Sequence, residues 1–274
     1  MLKKVLLCVM LVVVVPLANA DALRILLTND DGYQAPGIQA VYKALVNAGY
    51  DVVMVAPTTQ QSGTSQAITS GGLTATEEAP GVWHVDGHPA DAVRVGLGCI
   101  MKDNPPDIVV SGANFGQNVG QDTSLSGTVG AALTAVRMGY PAIAISVELK
   151  IAEASTRFPS TMKAFSDAGA FLAKVLGERK YLSADHALNI NYPAVSADAV
   201  KGIRIAKLQD FSIVTPNFVM GEDGKLHASF GATPSRDDNG DAWLLGEGYI
   251  TMTLLTDGIG AKPTSNLKKL VRVL

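Results

Sequence analysis

Along this chain the apolar residues fall into short unbroken runs, and polar character is concentrated in the breaks between them. Leu23-Arg24-Ile25-Leu26-Leu27-Thr28, Asp51-Val52-Val53-Met54-Val55-Ala56, Asp107-Ile108-Val109-Val110-Ser111-Gly112 and Ala142-Ile143-Ala144-Ile145-Ser146 have this character. Continuous runs, rather than strict alternation, predict strands covered on both faces, as in a parallel sheet. Between them, Ile38 to Ala48 and Thr128 to Met138 carry helical patterns, stopped at Gly49 and at Gly139-Tyr140-Pro141. Strand, helix and strand with short joints form a right-handed parallel unit. The predicted class is α/β: a doubly wound, mostly parallel, Rossmann-like core over about residues 22–146. Past Ser146 the pattern changes. Met162 to Leu176 reads as a long amphipathic helix and Ala187 to Pro193 as a strand, and the rest is richer in β signals, charge and turns. Phe211 to Asp241, with Thr215-Pro216-Asn217 and Arg236-Asp237-Asp238-Asn239-Gly240, predicts a protruding hairpin or arm. Residues 147–274 are expected to complete the sheet and to contact a neighbouring subunit.

The first residues follow a different rule. Lys3-Lys4, the apolar run Val5 to Val15 and Ala18-Asn19-Ala20 predict a secretory signal peptide over residues 1–20, and so a periplasmic or secreted protein. The run falls short of the roughly 20 apolar residues that span a bilayer, so no membrane association is expected after cleavage. Residues 21–274 then suit one large domain. Of two cysteines, Cys8 lies in the leader, which leaves Cys99 without an intramolecular partner. Its neighbours Val95-Gly96-Leu97-Gly98 and Ile100 predict a buried, inert thiol. A net charge of -3 with scattered basic residues argues against a nucleic-acid polymer as partner.

Ligands in open parallel sheets bind at the carboxyl ends of strands. Three loops sit there: Asn29-Asp30-Asp31-Gly32, Gln61-Ser62-Gly63-Thr64-Ser65, and Ser111 through Asn114 and Asn118 to Gly120. Adjacent carboxylates after a buried strand repel and lose hydration unless a cation compensates them. The pair alone also fits an Asx turn capping the next helix. The other two loops bring hydroxyl and amide oxygens, and glycines that let backbone N–H groups approach an anion. Four dispersed histidines and no Cys-x-x-Cys disfavour zinc. Oxygen ligands point to magnesium, manganese or calcium, one divalent cation per subunit. A Gly-x-Ser-x-Gly elbow, a Walker loop and a Gly-x-Gly-x-x-Gly helix opening are all missing from the sequence.

Taken together, these blocks resemble the SurE survival-protein family of nucleotidases. The opening signature Ile25-Leu26-Leu27-Thr28-Asn29-Asp30-Asp31-Gly32-Tyr33-Gln34-Ala35-Pro36-Gly37-Ile38 is the most specific part. Also similar are Val55-Ala56-Pro57 with Ser62-Gly63-Thr64-Ser65, and Gly87-His88-Pro89-Ala90-Asp91-Ala92-Val93. Pro106 to Asn114, Ser126-Gly127-Thr128-Val129 and Gly248-Tyr249-Ile250-Thr251 complete the match. The resemblance implies a SurE-like fold with a β-rich C-terminal oligomerisation extension. It also implies one divalent ion held by Asp30, Asp31, Ser62 and Asn114. The activity implied is that of a phosphoric monoester hydrolase, a 5′-nucleotidase with acid phosphatase-like character. Its substrates would be nucleoside 5′-monophosphates, with 3′-monophosphates or other small phosphomonoesters as extensions. A homodimer or homotetramer is implied as well. Departures from the family pattern are Leu125 in place of an aromatic, Thr134 in place of a glutamate and His88 in place of a threonine.

The expected reaction is metal-assisted hydrolysis, with Asp30 and Asp31 as the catalytic carboxylates. Whether Asp30 is a ligand only, a general base or a nucleophile stays open, since each role needs a carboxylate beside the metal. Ser126, Gly127 and Thr128 open a helix and suit phosphate oxygens, although N-capping uses the same geometry. Asn29, Ser111 and Asn118 complete the candidate phosphate or substrate contacts. The competing class is an exported protein that binds a nucleotide or phosphate without turnover.

Overall fold

A computed structural model of the chain describes residues 22–213, 217–229 and 232–256. The expected leader and Thr215-Pro216 of the expected arm lie outside the described residues. The apolar runs form the centre of a nine-stranded sheet of order β3-β4-β2-β1-β5-β6-β7-β11-β8. Here β1 is Arg24–Thr28, β2 Asp51–Pro57, β3 Ala75–Ala79, β4 Val82–Val85, β5 Ile108–Phe115 and β6 Ala142–Val147. Further along are β7 Ala187–Tyr192, β8 Ile203–Ile205 and β11 Ile250–Leu255. From β4 to β7 every neighbouring pair runs parallel. β3 at one edge and the pair β11-β8 at the other run antiparallel to these. The class read from the sequence is the class observed.

Burial along β1 shows why its apolar run is continuous. Ile25 and Leu27 pack into one core layer and Leu26 into the other, because successive side chains of a strand point to opposite faces. The first layer is closed by α1 (Pro36–Asn47) through Ile38, Val41 and Leu45, and by α4 (Pro159–Gly177) through Phe165, Ala168 and Leu172. The second is closed by α2 (Pro89–Val95) and α3 (Gly127–Arg137). With α1 and α2 on opposite faces, β1 and β5 flank the point where the strand order reverses. Loops diverge there and leave a crevice at the strands' carboxyl ends.

Three features differ from the sequence expectation. β5 continues past Gly112 through Ala113, Asn114 and Phe115, which read as loop, and its register with β6 shifts between Ser111 and Asn114. Such an irregularity re-aims a side chain at the rim of a sheet, and here the side chain is Asn114. Cys99 is exposed rather than buried. It lies in a π-helical turn, Gly96–Ile100, in which Gly96 and Leu97 face the core while Gly98 and Cys99 face out, so apolar neighbours in sequence do not enclose it. The hairpin β3-β4 was not read from the sequence, since every residue of Ala75-Thr76-Glu77-Glu78-Ala79 is exposed and carries no apolar signal. Within the expected arm, β9 (Asn217–Met220) and β10 (Leu226–Ser229) pair as an antiparallel hairpin apart from the main sheet. The chain then returns through α5 (Asp241–Gly246) to β11.

Candidate active site

The turn after β1 is locked from within. Asn29, fully buried, donates its amide to Gly32 O at 2.8 Å, which fixes the turn that carries Asp30 and Asp31 at the carboxyl end of β1. Asp30 is 2% exposed and meets the N-terminus of α3. The Thr128 hydroxyl donates to Asp30 Oδ1 at 2.5 Å, and the backbone N–H groups of Gly127 and Thr128 also support the carboxylate. A helix N-terminus suits a carboxylate because unpaired N–H groups and the helix dipole converge there. Position 127 must be glycine: a Cβ there would lie 2.8 Å from Asp30 Cβ and 2.9 Å from Asp30 Oδ2. Ser126 caps the same helix, accepting from Val129 N at 3.1 Å.

Asp31 Oδ2 accepts the Phe115 N–H at 2.9 Å, which couples the carboxylate pair to the end of β5. There Asn114 donates to Gly116 O at 2.7 Å, while its Oδ1 is buried with no hydrogen-bond partner. The second loop is tied to the first by Gln61 N–H donating to Asp30 O at 2.6 Å. It presents Ser62, whose hydroxyl accepts from Gln60 Nε2 at 2.5 Å. Behind it, His88 Nδ1 lies 3.0 Å from Gln61 Oε1.

Electrostatically this corner is costly. Burial holds the Asp30 carboxyl above its usual range despite the opposing Thr128 and Gly127 donors. Asp31 is pushed up to about 6, first by burial and then by the charge of Asp30. An amide oxygen with no protein partner, near two carboxylates raised by burial, is a set of donors that a cation would satisfy. Carboxylate, amide and hydroxyl oxygens fit a hard divalent ion that keeps open positions for water. Among the described residues no group of three or more His, Cys, Asp or Glu side chains could hold a metal, so a cation here would draw on neutral oxygens as well.

Asp30, Ser62, Asn114, Asn118 and Ser126 line one cavity of about 760 Å³. Five of the proposed site residues therefore meet at one space. Asn29, Ser111 and Thr128 are fully buried, and neither they nor Asp31 are among the residues lining it. Gly127 is packed against Asp30. Leu125, Leu149, Ile151 and Ile213 line the same space, and of these the sequence singles out only Leu125. Thr134 is buried and donates to Gly130 O at 2.8 Å within its own helix, away from the cavity.

The third loop is held from the C-terminal portion of the chain, a feature not read from the sequence. Asp241, buried at the start of α5, accepts the N–H groups of Gly120 at 3.0 Å and Gln209 at 2.9 Å. Asp122 accepts from the Ser212 hydroxyl and from Ile213 N–H. Gly120 approaches this strap so closely that a Cβ would lie 2.3 Å from Phe211 O.

Comparison with known proteins follows the same lines. A family model described as survival protein SurE matches residues 25–214. A relative named 5′-nucleotidase SurE from Nitratidesulfovibrio vulgaris (strain DP4) is 38% identical over 246 residues, 85% of this chain and 93% of its own length. Another of that name, from strain DSM 19637 / Miyazaki F, is 43% identical over 185 residues, 65% of this chain and 64% of the relative. The crystal structure of the SurE protein from Aquifex aeolicus superposes with a TM-score of 0.74 at 30% identity, covering 91% of this chain and 99% of that one.

Proposed function

The chain belongs to the SurE survival-protein family, and on that premise we propose that it is a divalent-metal-dependent phosphomonoesterase acting on nucleoside 5′-monophosphates, and on 3′-monophosphates as well. The names of its relatives support the nucleotidase reading. The observation that carries the metal dependence is the unpartnered, buried Asn114 Oδ1 near two carboxylates whose protonation is favoured by burial and, at Asp31, by the charge of Asp30. Asp30, Asp31, Ser62 and Asn114 would hold the ion. Once bound, a divalent cation supplies charge to the phosphoryl oxygens and acidifies or orients the attacking water.

The chain's own residues do the rest. Ser126 and Asn118 stand on the cavity wall, where their polar groups bind and orient the ester oxygens. Leu125, Leu149, Ile151 and Ile213 offer an apolar seat for the nucleoside and exclude water from one side of the phosphate. Thr128 and the α3 N-terminus fix the Asp30 carboxylate. Phosphate release from a panel of nucleoside monophosphates tests the proposal, using chelated protein before and after addition of manganese or magnesium. Release that returns with metal is expected. Tight nucleotide binding with no release would make the protein a binding module and overturn the assignment.

Two further readings accompany the activity. Phe218, Val219, Met220 and Leu226 of the hairpin are more than half exposed, which supports a homodimer or homotetramer joined through this arm. A monomer mass by light scattering at micromolar concentration would overturn it. Lys3-Lys4, the apolar run and Ala18-Asn19-Ala20 support export to the periplasm or medium. Intact mass of the protein from its own cell should begin at Asp21, and a cytoplasmic species that keeps Met1 would contradict export.

A further inference from the structure

Beyond the polar floor of the cavity, β7 carries two side chains that neither the core nor the proposed chemistry explains. Leu188, Ile190 and Tyr192 pack into the layer under α4. Asn189 and Asn191 point to the opposite face and are fully buried. Two buried amides are unfavourable unless each finds partners. Every hydrogen bond they make goes to one residue, while Asn189 Oδ1 finds no partner. Asn191 Oδ1 accepts the Asn118 N–H at 2.8 Å, and Asn191 Nδ2 donates to Asn118 O at 3.0 Å. Asn189 Nδ2 donates to the same carbonyl at 2.9 Å. The Asn118 side chain in turn donates from Nδ2 to Ser146 Oγ at 2.8 Å, and Ser146 is the β6 neighbour of Asn191 in register.

Asn118 lies in an irregular stretch between β5 and the 3-10 turn Gly120–Ser124, so no strand or helix pairs its peptide groups. A buried peptide must be satisfied by something. Asn191 does so as a neighbouring strand would, offering an acceptor and a donor side by side. A carboxamide presents that combination, whereas a carboxylate would set an oxygen against the Asn118 carbonyl and a hydroxyl would reach one group at a time. The amide is thus matched to one residue, and that residue lines the cavity.

We propose that Asn191 is a positioning residue for phosphate binding: through the main chain of Asn118 it fixes the Asn118 side chain and the following turn against the cavity. This rests on the reading of the cavity as a phosphomonoester site. The bidentate grip sets where the third loop stands relative to Asn114 and Ser126, so loosening it displaces a phosphate contact while the Asp30–Asp31 corner stays intact.

The test uses the metal-loaded full chain and the variant Asn191→Asp, which keeps shape and acceptor but replaces the donor to Asn118 O. Inorganic phosphate is titrated as a competitive inhibitor of nucleoside monophosphate hydrolysis, beside a manganese titration and a thermal melt. The expected result is a rise of about tenfold in both the phosphate Ki and KM, the equivalent of one lost hydrogen bond, with manganese affinity within about twofold of wild type. A merely structural amide would instead lower the melting temperature and kcat and leave Ki and KM at their wild-type values, and that result overturns the proposal. Asn118→Ala should raise Ki by itself, and adding Asn191→Asp to it should change Ki little further. Full additivity would overturn the route through Asn118. Should Asn191→Asp fail to fold, Asn191→Ser, which removes the bidentate grip and leaves room for water, carries the same comparison. Wild-type protein that releases no phosphate with any metal would remove the reading of the site and this proposal with it. An active wild type with unchanged variant Ki removes the proposal alone.

Discussion

At the end nearest β1, Asp30 lines the cavity against a helix N-terminus, its neighbour Asp31 is tied to the end of β5, and both carboxyls are raised above the ordinary range. At the other end, the loop from Gly116 to Leu125 has little regular structure, and buried side chains of the C-terminal portion tie down its peptide groups. The first region concentrates unfavourable electrostatics where reactivity is needed, and the second uses side-chain hydrogen bonds to hold peptide groups where position is needed. Sites of reaction commonly concentrate perturbed groups in this way while their supports do not. If that division is real, changes at the first end should cost turnover and spare the fold. Changes at the second should cost substrate affinity and some stability.

The largest effect is expected from Asp30→Ala. It removes a buried carboxylate that both α3 and the proposed ion rely on, and turnover should fall by about a thousandfold or more, as measured by phosphate release at saturating metal. Gly127→Ala comes next. Its Cβ would sit 2.8 Å from Asp30 Cβ, and a displacement on the ångström scale should lower kcat by roughly a hundredfold with the far-ultraviolet dichroism unchanged. On the other side of the comparison, Asp122→Ala frees Ser212 and Ile213, and Ile213 lines the cavity. KM should rise about three- to tenfold and stability should drop by about 1–3 kcal/mol, read from steady-state kinetics and a denaturant titration.

A smaller effect concerns pH. Asp31 titrates near 6 in the folded protein and near 3.8 otherwise, so the metal-free fold binds this proton more tightly than the unfolded chain does. Its stabilising contribution is complete below the unfolded value and is lost as pH rises through about 6. Melts of chelated protein should therefore show stability declining by about 2–3 kcal/mol at most between pH 4 and 7, while added manganese, competing with that proton, should reverse the trend.

Sequence reading served these two regions unequally. The carboxylate corner was visible because its parts lie beside the apolar runs that define the fold: Asp30 and Asp31 follow β1 directly, and Asn114 and Ser126 flank strand and helix boundaries. The support of the third loop was not visible. Asn191 lies 73 residues from Asn118 and Asp241 lies 121 residues from Gly120, and their pairing exists only once β7 and α5 are folded against that loop. A trace was present in Asn189-Ile190-Asn191, two amides on one face of a strand otherwise apolar. Cys99 was misread for a related reason, since its exposure depends on a π-helical turn that apolar composition does not announce.

The most direct test of a metal-compensated carboxylate pair is Asp31→Asn, which preserves shape and removes one charge. Manganese binding by titration calorimetry and phosphate release should be measured beside a thermal melt of the metal-free form. Weaker manganese binding, activity lower by orders of magnitude and a metal-free melt at or above wild type are predicted, because the repulsion with Asp30 is relieved. Near-normal turnover with unchanged manganese affinity would show instead that the pair is a helix-capping turn, and that the chemistry of this protein lies elsewhere.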